Sequence, residues 1–260
     1  MVKVAVTGAG GRMGSLIARL ALEDEGVKLV GVTERPDHPL MGGEFAPGVK
    51  FYPSILQMEE KPEVVIDFTT PEATLKLLEE AKELGTALVI GTTGFSAEQL
   101  SKVEEASKEL PVLLSPNMSL GVNLLFKLVA EAAKALKDKG YDVEIFEIHH
   151  RFKKDAPSGT AVKLGQIVAQ AFGKSLKEMA VYGRQGMVGP RKPDEMGILS
   201  ARMGDVVGDH TVFFATLGER LELTHRATSR ETFARGAIVA AKWMAGKGPG
   251  LYSMFDVLGF

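Results

Sequence analysis

Val2-Lys-Val-Ala-Val-Thr7-Gly-Ala-Gly-Gly-Arg-Met-Gly14 opens the chain and decides its fold. Val2 to Val6 is short, apolar and rich in β-branched residues, the composition of a strand buried on both faces of a parallel sheet. Leu16, Ile17, Leu20 and Ala21 then follow in a helical pattern. Between them the glycines fall as Gly8-x-x-Gly11-x-x-Gly14. Position 13 is Met, so the plain G-x-G-x-x-G spacing is not kept and a slightly longer turn is expected. Strand, glycine turn and helix N-terminus together make a cradle for a dinucleotide. Glycines let the backbone approach a pyrophosphate, and the helix end supplies N–H donors and a positive dipole.

A second β-like run, Val27 to Thr33, ends in Glu34, twenty positions after Gly14. An acidic residue there is placed to take the adenosine ribose hydroxyls. Arg35 follows at once. A guanidinium at that point suits a 2′-phosphate, so Glu34 and Arg35 point to use of both NADH and NADPH. The plainer alternative for Arg35 is a solvated charge pair at a strand end.

Composition fits a cytoplasmic enzyme. The 260 residues are 45% apolar and 25% charged, ordinary for a globular protein. A net charge of −2 gives no global field to draw in nucleic acid or an anionic membrane. The absence of cysteine excludes disulfides, thiol nucleophiles and cysteine metal sites. No apolar run reaches membrane-spanning length, and the N-terminus lacks a signal-peptide layout.

Strand-like and helix-like patterns alternate through the first part of the chain. Val64 to Phe68, Ala87 to Ile90 and Pro111 to Leu114 are buried-strand candidates, and Pro71 fits the first turn of a helix. This alternation predicts a doubly wound parallel sheet of Rossmann type, with ligands collecting beyond the carboxyl ends of its strands. Gly91-Thr-Thr93 and Ser115 to Met118 sit at two such ends. They are candidates for the nicotinamide and ribose end of the cofactor, or turn chemistry alone.

The pattern changes after Ser119. Leu120 to Leu136 reads as a long helix, Tyr141 to Ile148 as a strand and Gly159 to Phe172 as a helix. Gly197 to Met203, Val206 to Thr216 and Arg220 to Ala227 are β-rich, the last two joined as a hairpin through Leu217-Gly-Glu219. Glu231 to Ala245 is helical again and is expected to return to the first sheet. The expected division is a dinucleotide-binding domain of 1–119 with 230–260, and a central α+β domain of 120–229 with a mostly open sheet for substrate binding and oligomerisation.

Glu147-Ile-His-His-Arg-Phe-Lys-Lys-Asp-Ala-Pro-Ser-Gly-Thr-Ala161 carries the densest chemistry. His149, His150, Arg151, Lys153 and Lys154 lie at a strand end rather than along an open helix. They precede Ser158, Gly159 and Thr160, a helix start whose N–H groups can bind a carboxylate. Histidine titrates near neutrality and suits proton transfer, and lysine suits a developing anion. The competing reading is a solvated basic face. Elsewhere, His210 and His225 read as structural, His38 as a solvent-facing loop residue and Trp243 as core. Arg184 to Arg191 fits either a flap over an anionic substrate or a plain surface loop.

Taken together, Gly8 to Gly14, Asp67-Phe-Thr-Thr-Pro71, Gly91 to Phe95, Pro116 to Asn123, Glu147 to Ala161 and Ser229 to Gly236 resemble the 4-hydroxy-tetrahydrodipicolinate (dihydrodipicolinate) reductases. They occur in order over nearly the whole chain, and the Glu147 to Ala161 stretch is highly specific to that family. The resemblance implies NAD(P)H-dependent reduction of a small dicarboxylate heterocycle, with loss of water, in lysine and diaminopimelate biosynthesis. It implies that Gly8, Ala9, Gly10, Gly11, Arg12, Met13, Glu34, Arg35, Gly91, Thr92, Thr93, Ser115, Pro116, Asn117 and Met118 bind NADH or NADPH. It implies His149 as acid/base and Lys153 as proton donor, with His150, Ser158, Gly159 and Thr160 holding substrate. It also implies no metal, and a homotetramer built through the central sheet. Two alternatives share the glycine turn: a related NAD(P)-dependent amino-acid dehydrogenase and a non-enzymatic NAD(H)-binding redox sensor. Neither has a reason to carry His-His-x-x-Lys before Ser-Gly-Thr.

Overall fold

In the computed structural model, which describes residues 1–260, Val2–Thr7 is a strand (β1) whose Val4, Ala5 and Val6 are fully buried. It is flanked on both edges by parallel strands, β2 (Val27–Thr33) and β5 (Val64–Asp67). A strand covered on both faces has no use for polar alternation, which is why the buried stretches Val4 to Val6 of β1 and Val64 to Ile66 of β5 read as apolar runs. The sheet continues through β6 (Ala87–Ile90) and β7 (Pro111–Leu114) on one side. On the other it ends in two short strands, β3 (Glu44–Ala46) and β4 (Val49–Tyr52).

Helices α1 (Arg12–Glu23), α2 (Pro71–Leu84) and α3 (Ala97–Ser107) connect these strands. Their starts and stops are local. Thr70 caps α2 with Pro71 in its first turn, and Gly85 closes it in the left-handed conformation at φ 63°. Ser96 and Gln99 form a reciprocal capping box at the head of α3. The C-terminal segment supplies α7 (Glu231–Met244), packed against α1, then β13 (Gly250–Tyr252) paired with β7, and α8 (Met254–Leu258). Ala234, Ala237, Ala240 and Ala241 are fully buried, so α7 approaches closely along its alanine face. One core cluster joins α1 and α7 to the sheet, and the other lies under α2 and α3. The Rossmann-type sheet read from the sequence is therefore present, in the order β13-β7-β6-β5-β1-β2-β4-β3.

Met1–Leu120 with Glu231–Phe260 forms one compact unit, and Gly121–Arg230 forms the second. The second unit carries most of α4 (Leu120–Leu136), then β8 (Asp142–His149), α5 (Gly159–Ala171), the short α6 (Leu176–Met179) and β9 (Ala180–Val181). It ends with β10 (Met196–Arg202), β11 (Gly208–Thr216) and β12 (Glu219–Ala227). Its mixed sheet runs β12-β11-β8-β10-β9, the α+β architecture expected of the central segment. Helix α5 lies on one face. A side chain at Gly165 would strike Ile198 Cδ1 at 2.9 Å, so glycine there sets the closeness of helix and sheet. No helix is long and apolar enough to cross a membrane.

Among the elements passed over in the sequence reading are β3, β4 and α3. The two strands are only 3 and 4 residues long, too short for a period to show. Helix α3 buries only Val103, Ala106 and Ser107, a stripe too narrow to stand out among its charges.

Candidate active site

In the first unit the turn after β1 is built by glycine. Gly8 takes a left-handed φ of +62°, and a side chain at Gly14 would lie 2.2 Å from the Gly8 carbonyl oxygen. Helix α1 can therefore begin directly against the turn. Three N–H groups of the turn are committed within the chain: Ala9 donates to Thr33 O at 3.1 Å, Gly10 to Glu34 Oε2 at 2.9 Å and Gly11 to Gly8 O at 2.9 Å. Gly11 caps α1 without a side-chain hydrogen bond, so the first-turn N–H groups of Arg12 and Met13 are the donors that the helix end presents. The Glu34 carboxylate is held over Gly10 and also accepts the Arg35 N–H at 3.0 Å. It lines a cavity of about 540 Å³ with Gly8, Gly10, Arg35, His38 and Asp67. Backbone clearance at the turn, helix-end donors and an acidic group beyond the second strand are the features a dinucleotide needs, so these residues fit the group.

His38 is half-buried rather than solvent-facing, with its ring 2.7 Å from where a Gly10 side chain would begin. The proline-rich loop folds back over the glycine turn and brings the imidazole with it, which composition alone does not show.

The strand ends beside the cavity are organised by Asp67, which is 1% exposed. One of its oxygens accepts the hydroxyls of Thr7 and Thr69, both at 2.6 Å. The other accepts those of Thr74 and Thr92. The Thr92 side chain is thereby committed to the protein, as is Ser115, whose hydroxyl donates to Asn117 O at 2.8 Å. Asn117 Oδ1 accepts the Ser119 N–H at 2.9 Å, and Met118 is 1% exposed with its side chain in the core. Gly91 is buried against Phe68, while Thr93 is exposed.

In the second unit, strand alternation puts Glu147 and His149 on the face covered by α5. Glu147 is fully buried and His149 is 9% exposed. Glu147 Oε2 lies 2.5 Å from His149 Nδ1. Arg202, at the end of β10, grips both carboxylate oxygens at 2.8 Å. The Ser158 N–H donates to Glu147 Oε1 at 3.0 Å, so the same carboxylate anchors the head of α5. Ser158 Oγ caps that helix by accepting the Ala161 N–H at 3.2 Å, and it also meets His210 Nε2 at 2.8 Å. His210 stacks edge-on against His149 with ring centroids 5.1 Å apart. Lys153 Nζ sits 2.8 and 2.9 Å from the Asp155 oxygens. His150 is half-buried with Nδ1 unpartnered, and Gly159 is exposed with open space beside it.

The electrostatics follow from these contacts. Burial works against an ionised Glu147, but hydrogen bonds from His149, Arg202 and Ser200 outweigh it and hold the carboxyl well below the usual range. Burial, with His149 nearby, pushes His210 down to about 3, so it is neutral. Asp155 is lowered chiefly by its hydrogen bond from Lys153. The cluster thus pairs one imidazole with an ionised carboxylate, stacks a neutral imidazole against it and places a lysine in the loop that follows. This equipment suits donating protons to a bound anion.

Sequence reading grouped His149, His150, Lys153 and Ser158 but passed over Arg202 and the contacts of Glu147. His210, taken as structural, lies in the cluster. The signal for Glu147 was available, because an acid two residues before a histidine on one strand shares its face. Arg202 and His210 arrive through cross-strand register: Arg202 opposite His149, and His210 opposite Glu147. The Arg184 to Arg191 loop folds elsewhere. Arg184 grips Glu144 and Glu195, and Arg191 binds Asp142, at the start of β8 and away from its His149 end.

Comparison with known proteins covers both units of the chain. Residues 2–118 match the family described as dihydrodipicolinate reductase, N-terminus, and residues 121–258 match its C-terminus. A 4-hydroxy-tetrahydrodipicolinate reductase from Aquifex aeolicus is 53% identical over 266 residues, covering 99% of each chain. One from Syntrophotalea carbinolica is 49% identical, covering 100% of this chain and 99% of that protein. The solved structure of a dipicolinate-bound dihydrodipicolinate reductase from Paenisporosarcina sp. TG-14 superposes with a TM-score of 0.79 at 26% identity, covering 98% of both chains.

Proposed function

The chain belongs to the dihydrodipicolinate reductase family, and on that premise we propose how its residues divide the work. The activity is NAD(P)H-dependent reduction of 4-hydroxy-tetrahydrodipicolinate, a step of lysine and diaminopimelate biosynthesis. Arg12 and Met13 N–H groups would hold the pyrophosphate, Glu34 the ribose hydroxyls and Arg35 a 2′-phosphate. The backbones of Gly91 to Thr93 and Ser115 to Met118 would border the nicotinamide. When bound, NADH or NADPH supplies the hydride.

The remaining chemistry falls to the second unit. Loss of water leaves a conjugated imine with an electron-poor C4, and reduction there leaves an enamine-like anion that must be stabilised and protonated. Lys153 is the proton donor and His149 the acid/base residue. His150, Ser158, Gly159 and Thr160 hold the substrate carboxylates at the head of α5. One observation carries this reading. The fully buried Glu147 carboxylate ties His149, Arg202 and the Ser158 N–H together, fixing an imidazole beside a helix N-terminus.

The test supplies freshly prepared 4-hydroxy-tetrahydrodipicolinate and follows consumption of NADH and NADPH. Dipicolinate, a planar dicarboxylate, should compete with the substrate. Absence of turnover with both cofactors would overturn the assignment.

We also propose a homotetramer assembled through the open face of the second sheet. Phe146, Ile148, Leu199 and Phe213 alternate with the buried residues and lie half-exposed on the face opposite α5, an apolar set suited to burial against another copy. Light scattering after size exclusion should give four chains, and a monomer would refute it.

A further inference from the structure

We propose that Glu147 and Gly208 are positioning residues for His149: the carboxylate keeps the resting proton on Nδ1, and the missing side chain at 208 keeps Nε2 uncovered for proton exchange with substrate. The inference deepens the reading of His149 as the acid/base residue and rests on it.

The argument begins with tautomers. An ionised carboxylate only accepts hydrogen bonds, so the contact between Glu147 Oε2 and His149 Nδ1 at 2.5 Å requires the proton on Nδ1. Neutral His149 then has its lone pair on Nε2. Glu147 is kept ionised by the paired hydrogen bonds from Arg202, and its other oxygen is occupied by the Ser158 N–H. The groups of the cluster are Glu147 on β8, Arg202 on β10, the neutral His210 on β11, and Lys153 with Asp155 in the loop after β8.

Gly208 supplies the second half. Its φ lies outside the left-handed region, so the backbone does not demand glycine. The three heavy atoms nearest to a Cβ there would all belong to the His149 ring, at 2.9 Å for Nε2, 3.4 Å for Cδ2 and 3.7 Å for Cε1. The ring cannot swing aside freely, because Nδ1 is anchored to a fully buried carboxylate and His210 stacks against it. Glycine at 208 therefore serves the imidazole and not the strand.

Glu147→Gln gives a sharp test. An amide nitrogen at the Oε1 position would face two donors, the Ser158 N–H and Arg202, neither of which can become an acceptor. At the Oε2 position it faces Arg202 and His149 Nδ1, and of those two only the histidine can switch from donor to acceptor, while the Ser200 hydroxyl can turn to suit either orientation. The amide should therefore point its NH2 at His149 and move the ring proton to Nε2. Nitrogen-15 NMR of the full-length enzyme reads this directly, and with five histidines in the chain single His→Gln replacements assign the signals. The expected result is protonated Nδ1 with bare Nε2 in the wild type, and the reverse in Glu147→Gln. A wild type protonated on Nε2, or an unchanged pattern in the variant, overturns the role of Glu147. Gly208→Ala is the second variant. It should keep the wild-type tautomer and NADPH affinity while kcat falls about tenfold or more, within the range of impaired acid–base catalysis. Turnover close to wild type removes Gly208 from the proposal. If Glu147→Gln reverses the tautomer yet turns over normally, the positioning stands and the acid/base assignment of His149 falls.

Discussion

Thr92 donates its hydroxyl proton to Asp67 at 3.0 Å and accepts the Thr69 N–H at 2.9 Å, so two strand ends and the head of a helix are fixed through one carboxylate. Four hydroxyls converge on Asp67, which also borders the cavity beside the glycine turn. Asp67→Asn replaces an acceptor oxygen with a donor facing hydroxyls that have little room to turn. Each buried polar group left unmet costs about 1–3 kcal/mol. The melting temperature is expected to fall, and NADPH dissociation to increase by about tenfold, a 1.4 kcal/mol effect. Calorimetric titration checks the second point. A variant that melts earlier but binds NADPH as tightly would make Asp67 a purely architectural residue.

Lys153→Ala is expected to lower kcat by about a hundredfold, typical for loss of a positioned acid. Cofactor affinity should change little, because Lys153 belongs to the second unit's cluster. Its ammonium sits on Asp155, whose side chain is exposed, so the pair contributes little to stability and the fold should survive the change. Steady-state kinetics decide the matter, and near-normal turnover would remove Lys153 from the mechanism.

How much of this was legible beforehand depends on how far apart in the chain the partners lie. The glycine turn could be read because each glycine answers a local demand, and Gly14 meets a carbonyl only six residues away. Glu34 could be read because a parallel strand ends at a fixed distance after that turn. The Glu147 to Ala161 stretch was visible as composition but not as a network. Glu147 works through Arg202, 55 positions later, and Ser158 through His210, 52 positions later. Those pairings depend on the register of β8 with β10 and β11, which no local pattern encodes. His38 was misplaced for a related reason: a loop's polar composition says nothing about the surface it folds onto.

Arg35→Ala should weaken NADPH more than NADH. The guanidinium is exposed beside the cavity that Glu34 lines, where only the 2′-phosphate would use it. The difference between cofactors should be about tenfold, in line with one charge-assisted hydrogen bond of roughly 1.5–3 kcal/mol partly offset by solvent. Parallel titrations with the two cofactors check it, and equal losses would show that Arg35 does not read the phosphate.

Arg184→Ala separates the two sequence readings of its loop. Arg184 is already satisfied by Glu144 and Glu195, whose hydrogen bonds raise its pKa further above the ordinary arginine value. A flap over an anionic substrate would need that guanidinium free. The KM for substrate is therefore expected to stay within about twofold of wild type, less than any direct charged contact would cost. A tenfold increase in KM, with kcat unchanged, would restore the flap.

His210 sets the acid side of the stability profile. Burial, reinforced by His149, lowers it from an ordinary 6.5 to about 3, so the folded enzyme leaves it neutral while the unfolded chain takes up a proton. Below pH 6.5 the unfolded state thus binds more protons, and stability falls as pH drops toward 3, by at most about 1.4 kcal/mol per pH unit for one full proton. His225, also lowered by burial, acts in the same direction. Glu147 joins only below the carboxylate range, since its stabilising contribution is complete above about 4.5 and is lost as pH falls further. The interval from pH 6.5 to 5 therefore isolates the histidines. In His210→Gln the amide can still reach Ser158 but has no proton to gain, so the fall in melting temperature between pH 7 and pH 5 should be smaller than in the wild type. Thermal melts of both proteins at the two pH values check this. An equal fall in both would show that His210 does not resist protonation in the folded enzyme.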